Sequence, residues 1–353
     1  MTIGILTFQF PYNYGALLQC CALKRYLSSQ GHEASVIPYY PAQQKKWYTI
    51  NPFSKGLSVP SRVYKTVTFF YKCRQISKFE KFKSTLFSGR EFTDESELPH
   101  RYRELDALIV GSDQVWNDKI TGSSGVYYGA GAQCPKVAYA ASLGSSSELS
   151  AIQKRNAQIY LPSFSSVSVR EAGSISLLGR YRDDIRAVCD PVFFLSRSQW
   201  DEYRAFSPGL SGYVLLYMLE DNPALLEDGI RYAKRYGLKI VEVSPVLRKK
   251  HSGIQLLTSA GPREFIELVR NAEAVCSNSF HALAFSMIYG KTFIHIPNSN
   301  SPERTLSLLA SAGITYDSNH SFYDLTNAME SLAPFIEDSK VFLNESLAGI
   351  TCA

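Results

Sequence analysis

Short apolar runs recur along this chain, and each one stops abruptly at polar or turn residues. Thr2 to Phe8, Ala34 to Pro38, Leu105 to Val110, Val137 to Ala141, Ser165 to Val169 and Arg186 to Cys189 form one series. Tyr213 to Tyr217, Lys239 to Val243, Ala274 to Cys276 and Thr292 to Ile296 form another. Runs this short, with no polar alternation, read as parallel strands buried on both faces. Helical patterns lie between them, as at Ala16–Ser29 and Ala224–Tyr236. Parallel strands joined by helices leave few options beyond doubly wound α/β domains. Two such series in 353 residues predict two Rossmann-like domains facing a cleft. Residues 1–195 would form the first and 205–321 the second, with 322–353 as a helical tail.

In such sheets ligands sit beyond the carboxyl ends of the strands, so the residues that end each run matter most. Ala274 to Cys276 ends in Ser277-Asn278-Ser279, followed by an apolar helix that closes at Gly290. Ser279 suits an N-cap and Gly290 a C-cap. Phe280 and His281 then occupy a first helical turn, where backbone N–H groups favour an anion. His281 there is either an anion ligand and acid or a histidine that only hydrogen-bonds the turn. Arg170-Glu171 ends another run, and its guanidinium matches a carboxylate or phosphate as well as it matches its own neighbour. Arg304, beside Glu303 near a helix start, carries the same ambiguity. Gly111-Ser112-Asp113-Gln114-Val115-Trp116-Asn117 ends a third. Asp113 could take a proton from a hydroxyl or cap the turn, and Trp116 could stack on a sugar. The loop after the first run, Gln9 to Gly15, offers Asn13 and Tyr14.

The net charge of +5 is unevenly spread. Between Lys45 and Arg90 there are 11 Lys or Arg and one acidic residue, Glu80, interleaved with Trp47, Tyr48, Phe53, Phe70, Tyr71 and other aromatics. This insertion, 42–92, is either a solvated helical pair or a patch for anionic lipid headgroups. The remainder of the chain is acidic and carries no nucleic-acid module, so nucleic acid is not expected. Seven cysteines without a Cys-x-x-Cys pair read as free thiols of a cytoplasmic protein. The N-terminus lacks a basic n-region, and no apolar run reaches the length of a membrane span. No Walker loop, nucleophile elbow, dinucleotide fingerprint or metal-ligand spacing occurs. The inventory points to group transfer between an anionic donor and a polar acceptor, without metal or cofactor.

Asn13-Tyr14-Gly15-Ala16, the Gly111–Asn117 segment, Ser168-Val169-Arg170-Glu171, Asp190-Pro191 and Asn278-Ser279-Phe280-His281 occur in this order. As an ordered set they resemble the polysaccharide pyruvyltransferase family over about residues 1–315. The resemblance implies a fold similar to the GT-B glycosyltransferases. It implies phosphoenolpyruvate as donor and a hexose of a surface polysaccharide, or of its polyprenyl-diphosphate-linked precursor, as acceptor. The product would be a pyruvate ketal, with phosphate released. Carried over, Arg170 and His281 match positions that hold the donor in relatives; Asn278, Ser279 and Phe280 would stand beside them, and Arg304 could supply a missing charge. His281 would supply the acid and Asp113 the base, and Asn13, Tyr14, Gln114 and Trp116 would line the acceptor side. Some relatives have arginine where this chain has Ser279. A lipid-linked acceptor would give the basic insertion a role at the inner face of the membrane. Two other readings stay open: a sugar-nucleotide glycosyltransferase on the same fold, and a non-catalytic sugar-binding protein.

Overall fold

The computed structural model describes every residue except 43, 45–57, 88, 145–146, 206–208, 245–251 and 352–353. Trp47, Tyr48, Phe53 and Cys352 therefore lie outside the described residues. Two six-stranded sheets form the molecule. The first comprises β1 (Thr2–Leu6), β2 (Glu33–Val36), β3 (Ala107–Val110), β4 (Lys136–Ala141), β5 (Ser166–Val169) and β6 (Arg186–Ala187). Their order is β2-β1-β3-β4-β5-β6, parallel throughout. The second comprises β7 (Tyr213–Tyr217), β8 (Lys239–Val243), β9 (Ile254–Leu257), β10 (Ala274–Ser277), β11 (Thr292–Ile294) and β12 (Phe322–Asp324). Their order is β12-β11-β10-β7-β8-β9, with only β12 antiparallel. β1, β3, β4, β7 and β10 bury nearly every side chain, as continuous apolar runs demand.

Three expectations change. β9 and β12 are strands that the apolar pattern missed. Phe322–Asp324 opens the expected helical tail as an edge strand on β11, too short and too exposed to show a buried run. The helix that follows, Ala328–Thr351, returns to the first domain, where Ser339 Oγ accepts from Cys189 N at 2.9 Å and Tyr26 bonds Asn344 at 3.1 Å. Ser196 to Gly212 reads in sequence as a linker with one amphipathic turn around Trp200 and Tyr203, and that turn is a capped helix. Ser196 and Gln199 form a capping box for the helix Arg197–Asp201, and Trp200 is fully buried with its indole N–H on the Val192 carbonyl.

The basic insertion contributes a helix, Val59–Lys83, and its outer half and inner half behave differently. Val63, Phe70 and Tyr71 are exposed. Phe79 and Phe82 are fully buried, and Lys78 pairs with Glu264 of the second domain at 2.7 Å. The inner half is thus an interdomain strut rather than a solvated face. Tyr14 completes the contact. Its ring stacks on Phe265 of the second domain at 4.6 Å with planes 7° apart, and its hydroxyl donates to the Ala260 carbonyl. One apolar core consequently runs from β1 through Tyr14, Phe79 and Phe265 to β10 and closes one wall of the cleft. Among the described residues no helix is long and apolar enough to cross a membrane.

Candidate active site

The carboxyl ends of β3, β5 and β6 converge on the helix that follows β10. After β3 the chain turns through Gly111, at φ 112°, where a Cβ would fall 2.2 Å from the Tyr139 carbonyl oxygen. Only glycine fits there. Asp113 follows at φ 73°, a left-handed conformation that costs a non-glycine residue roughly 1–2 kcal/mol. Its backbone is locked to β4 by Ser142 N donating to Asp113 O at 3.0 Å. Strain of this kind persists where a fold holds a residue for a purpose. The Asp113 carboxylate accepts from Gln114 N at 2.9 Å and, among the described residues, is otherwise committed to contacts of 3.9 Å with Arg170 and Arg304.

Arg170, at the end of β5, is buried with Nε on Glu171 at 2.9 Å and Nη1 on Asp190 at 3.0 Å. Burial disfavours its charge, but Glu171, Asp190 and Asp113 together hold its pKa above the ordinary value. Asp190 is 1% exposed and accepts from Ser112 Oγ at 3.2 Å and Val192 N at 3.1 Å as well. Burial alone would raise its pKa. Its contact with His281, the Arg170 charge and Val192 N win, and hold the carboxyl well below the usual range.

The second domain supplies the opposite side. Ser279 caps the helix Phe280–Tyr289, accepting from Ala282 N, and Gly290 closes it at φ 62°, both as expected. His281 sits in the first turn with Nε2 3.5 Å from Asp190 and Nδ1 turned towards Gly15. Phe280 carries the Arg170 guanidinium at 4.3 Å and the Arg304 guanidinium at 5.5 Å from its ring centroid. Burial, reinforced by the like charge of Arg170, pushes Arg304 down to about 10, so it stays protonated at neutral pH. Among the described residues, Arg170 Nη2, Arg304 Nε and His281 Nε2 are buried and have no hydrogen-bond partner. Three nitrogens from two domains therefore converge without a satisfied acceptor. Leaving such groups unpaired costs about 1–3 kcal/mol each, more when charged. An anion with several oxygens relieves that cost. Asp113 and Glu171, 3.7–3.9 Å from Arg304, can give up that cation more readily than Asp190 can give up Arg170 at 3.0 Å.

Asp113, Arg170, Phe280, His281 and Arg304 are thus brought together. Asn278 and Ser279 are placed behind them: Asn278 clamps the loop after β7 by bonds to Leu219 N and the Glu220 carbonyl, each 2.8 Å. Asn13 caps the helix Tyr14–Ser29, accepting from Ala16 N at 3.2 Å. Gln114 is half-buried and accepts from Asn117 at 2.9 Å. Two acceptor-side expectations are corrected. Tyr14 lies in the interdomain core. Trp116 is 1% exposed, stacked on Tyr128 with its N–H on the Tyr127 carbonyl, so no face of it is open to a sugar. Asp190 and Gly15, both inside the quoted motifs, received no role from the sequence. An acidic residue ending a short strand run was the available signal for Asp190.

His295, just past β11, was also missed. It is fully buried, with Nδ1 2.9 Å from the Ser277 carbonyl and Nε2 3.1 Å from Thr305 Oγ1. It ties the end of β10 to the helix Pro302–Ser311 that carries Arg304. Burial pushes its imidazole down to about 4. The unfolded chain binds this proton near pH 6.5, the folded one near 4, so stability is lost as pH falls from about 6.5 to about 4, by about 3 kcal/mol in all. Wild-type melting temperature should fall through that window more steeply than that of His295→Asn. Parallel curves would rule the assignment out.

A family model described as polysaccharide pyruvyl transferase matches residues 13–300. No curated protein matches the chain. Among solved structures, S. aureus MnaA bound to UDP is similar over 97% of this chain and 89% of its own, at 11% identity and TM-score 0.51. A putative UDP-N-acetylglucosamine 2-epimerase from Listeria monocytogenes is similar over 98% and 88%, at 10% identity and TM-score 0.50. These likenesses show the fold, two Rossmann-like domains of the GT-B type.

Proposed function

The chain belongs to the polysaccharide pyruvyl transferase family, and from that premise we propose that it moves the enolpyruvyl group of phosphoenolpyruvate onto two hydroxyls of a glycan hexose. The observation that carries this reading is the convergence between the two domains of Arg170 Nη2, Arg304 Nε and His281 Nε2, of which the last two make only long contacts of 3.7 Å to Glu171 and 3.5 Å to Asp190 among the described residues. Phosphoenolpyruvate brings a carboxylate and a phosphate on one small carbon frame. Two guanidiniums, one from each domain, match that pair of anions. Ser279, where some relatives have arginine, caps a helix and cannot hold an anion by charge; Arg304 supplies the second cation instead.

The chemistry follows from what these groups can do. His281 Nε2 donates a proton to the donor methylene, which becomes a methyl group as the neighbouring carbon takes on oxocarbenium character. One sugar hydroxyl attacks that carbon, and Asp113 accepts its proton. The second hydroxyl then displaces phosphate, closing the ketal, and its proton leaves with the phosphate. Two C–O bonds form, and the bond to phosphate oxygen breaks. Arg170 and Arg304 neutralise the leaving phosphate and the carboxylate.

Incubation with phosphoenolpyruvate and a panel of free and lipid-linked hexosides should release phosphate and add a pyruvate ketal to one acceptor. His281→Gln and Asp113→Asn should each lower turnover by about 10²–10⁴-fold, with phosphoenolpyruvate binding altered only a few-fold in Asp113→Asn and weakened in His281→Gln. Turnover near wild type in both variants would reject these roles. Nucleotide release from a UDP-sugar, with no phosphate release, would instead favour a sugar-nucleotide glycosyltransferase.

A further inference from the structure

A second cluster of charged and aromatic side chains lies at the cleft-facing end of the first sheet, beyond β1 and β2. Lys83 ends the insertion helix there and is only 2% exposed. Its ammonium pairs with Glu80 at 3.0 Å and Glu91 at 2.6 Å. It also lies 5.8 Å from the centroid of the Tyr12 ring and 5.9 Å from that of Tyr40. The Tyr12 hydroxyl donates to the Glu80 carboxylate at 3.1 Å. Every part of this cluster is anchored. Tyr40 stacks on Phe10 at 4.8 Å, Tyr12 packs on Phe79, and Tyr40 N donates to the Phe92 carbonyl beside Glu91.

The placement is what gives the cluster a purpose. The residues beyond β1 and β2 lie at the same end of the sheet as Asp113, Arg170 and Asp190, which follow β3, β5 and β6. Tyr12 is three residues before Gly15, which touches His281, so it lies within roughly 11 Å of that contact along the chain. The two carboxylates keep side-chain exposures of 48% and 23%, so both stay partly open to solvent while the buried ammonium fixes them. Two carboxylates against one ammonium leave the cluster acidic. It repels phosphate and carboxylate groups and accepts hydrogen bonds from hydroxyls. Tyr12, half-buried beside Lys83 and Phe79, adds an aromatic side chain. Fixed acceptors beside an aromatic face are what an uncharged sugar ring needs.

We propose that Tyr12, Glu80 and Glu91, held in place by Lys83, form the acceptor subsite and take a neutral hexose unit of the glycan. This rests on the acceptor being a glycan and replaces Tyr14 and Trp116 in that role.

Saturation-transfer NMR with a panel of methyl hexopyranosides, including a methyl glucuronide, tests it. The wild type should bind at least one neutral hexoside. Tyr12→Ala and Glu91→Gln should each weaken that hexoside at least tenfold, with melting temperatures confirming the fold. Calorimetric binding of phosphoenolpyruvate should stay within twofold in both. Unchanged hexoside affinity in the variants, tighter binding of the glucuronide, or no hexoside binding to the wild type would each overturn the subsite. Hexoside binding without phosphoenolpyruvate binding would instead sink the donor assignment and leave the subsite standing.

Discussion

Gly15→Ala is expected to lower kcat/KM by at least about 100-fold while leaving the fold almost untouched. Gly15 is the second residue of the helix Tyr14–Ser29 and is buried. Helix propensity alone favours alanine there by about 1 kcal/mol. Tertiary contact reverses the sign. A Cβ on residue 15 would fall 1.9 Å from His281 Nδ1 and 2.3 Å from its Cγ. No rotamer of alanine relieves that overlap, so the imidazole must shift or the domains must part. Either movement takes Nε2 away from Asp190 and from the donor, and a displacement of about 1 Å is enough for such a loss. The effect should vanish in a His281→Ala background, because the ring that clashes is gone. A Gly15→Ala enzyme with normal turnover would refute the account. So would a double variant in which the two losses multiply.

Asp190→Asn should be the most destabilising conservative change in the site, by about 3–5 kcal/mol. The Asp190 carboxylate serves only donors: Ser112 Oγ, Arg170 Nη1, Val192 N and, at 3.5 Å, His281 Nε2. An amide must turn its NH₂ towards one of them. It also leaves the buried Arg170 guanidinium short of a countercharge. The loss should lower the melting temperature by roughly 4–7 °C and remove most turnover. The pH dependence has a definite sign. The depressed pKa of Asp190 means its contribution is present above the unfolded carboxyl value, about 3.9, and is lost as pH falls through the folded one. The deficit of the variant should therefore be constant from pH 5 to 8 and shrink only below about pH 4. A melting temperature within about 2 °C of wild type at pH 7 would contradict this reading.

The sequence by itself determined which elements form and what ends them. Buried runs marked the strands of both sheets except β9 and β12. Ser279 and Gly290 bounded their helix as their cap chemistry requires. Arg170, Asp113 and His281 each stood at the end of a run, and topology carries strand ends to one edge of each sheet. All of this is local information. What lies opposite a residue is not local. Tyr14 looks like a loop tyrosine until Phe265, from the other domain, covers its ring. Trp116 looks open until Tyr128 stacks on it. Gly15 looks like a helix start until His281 occupies the space of its missing Cβ. Asp190 gains its role only where Arg170 and His281, from separate domains, meet on one carboxylate. Periodicity reports the element a side chain belongs to. Only the packing of distant segments decides whether it faces core, ligand or the other domain, because burial is shared between surfaces the chain brings together last.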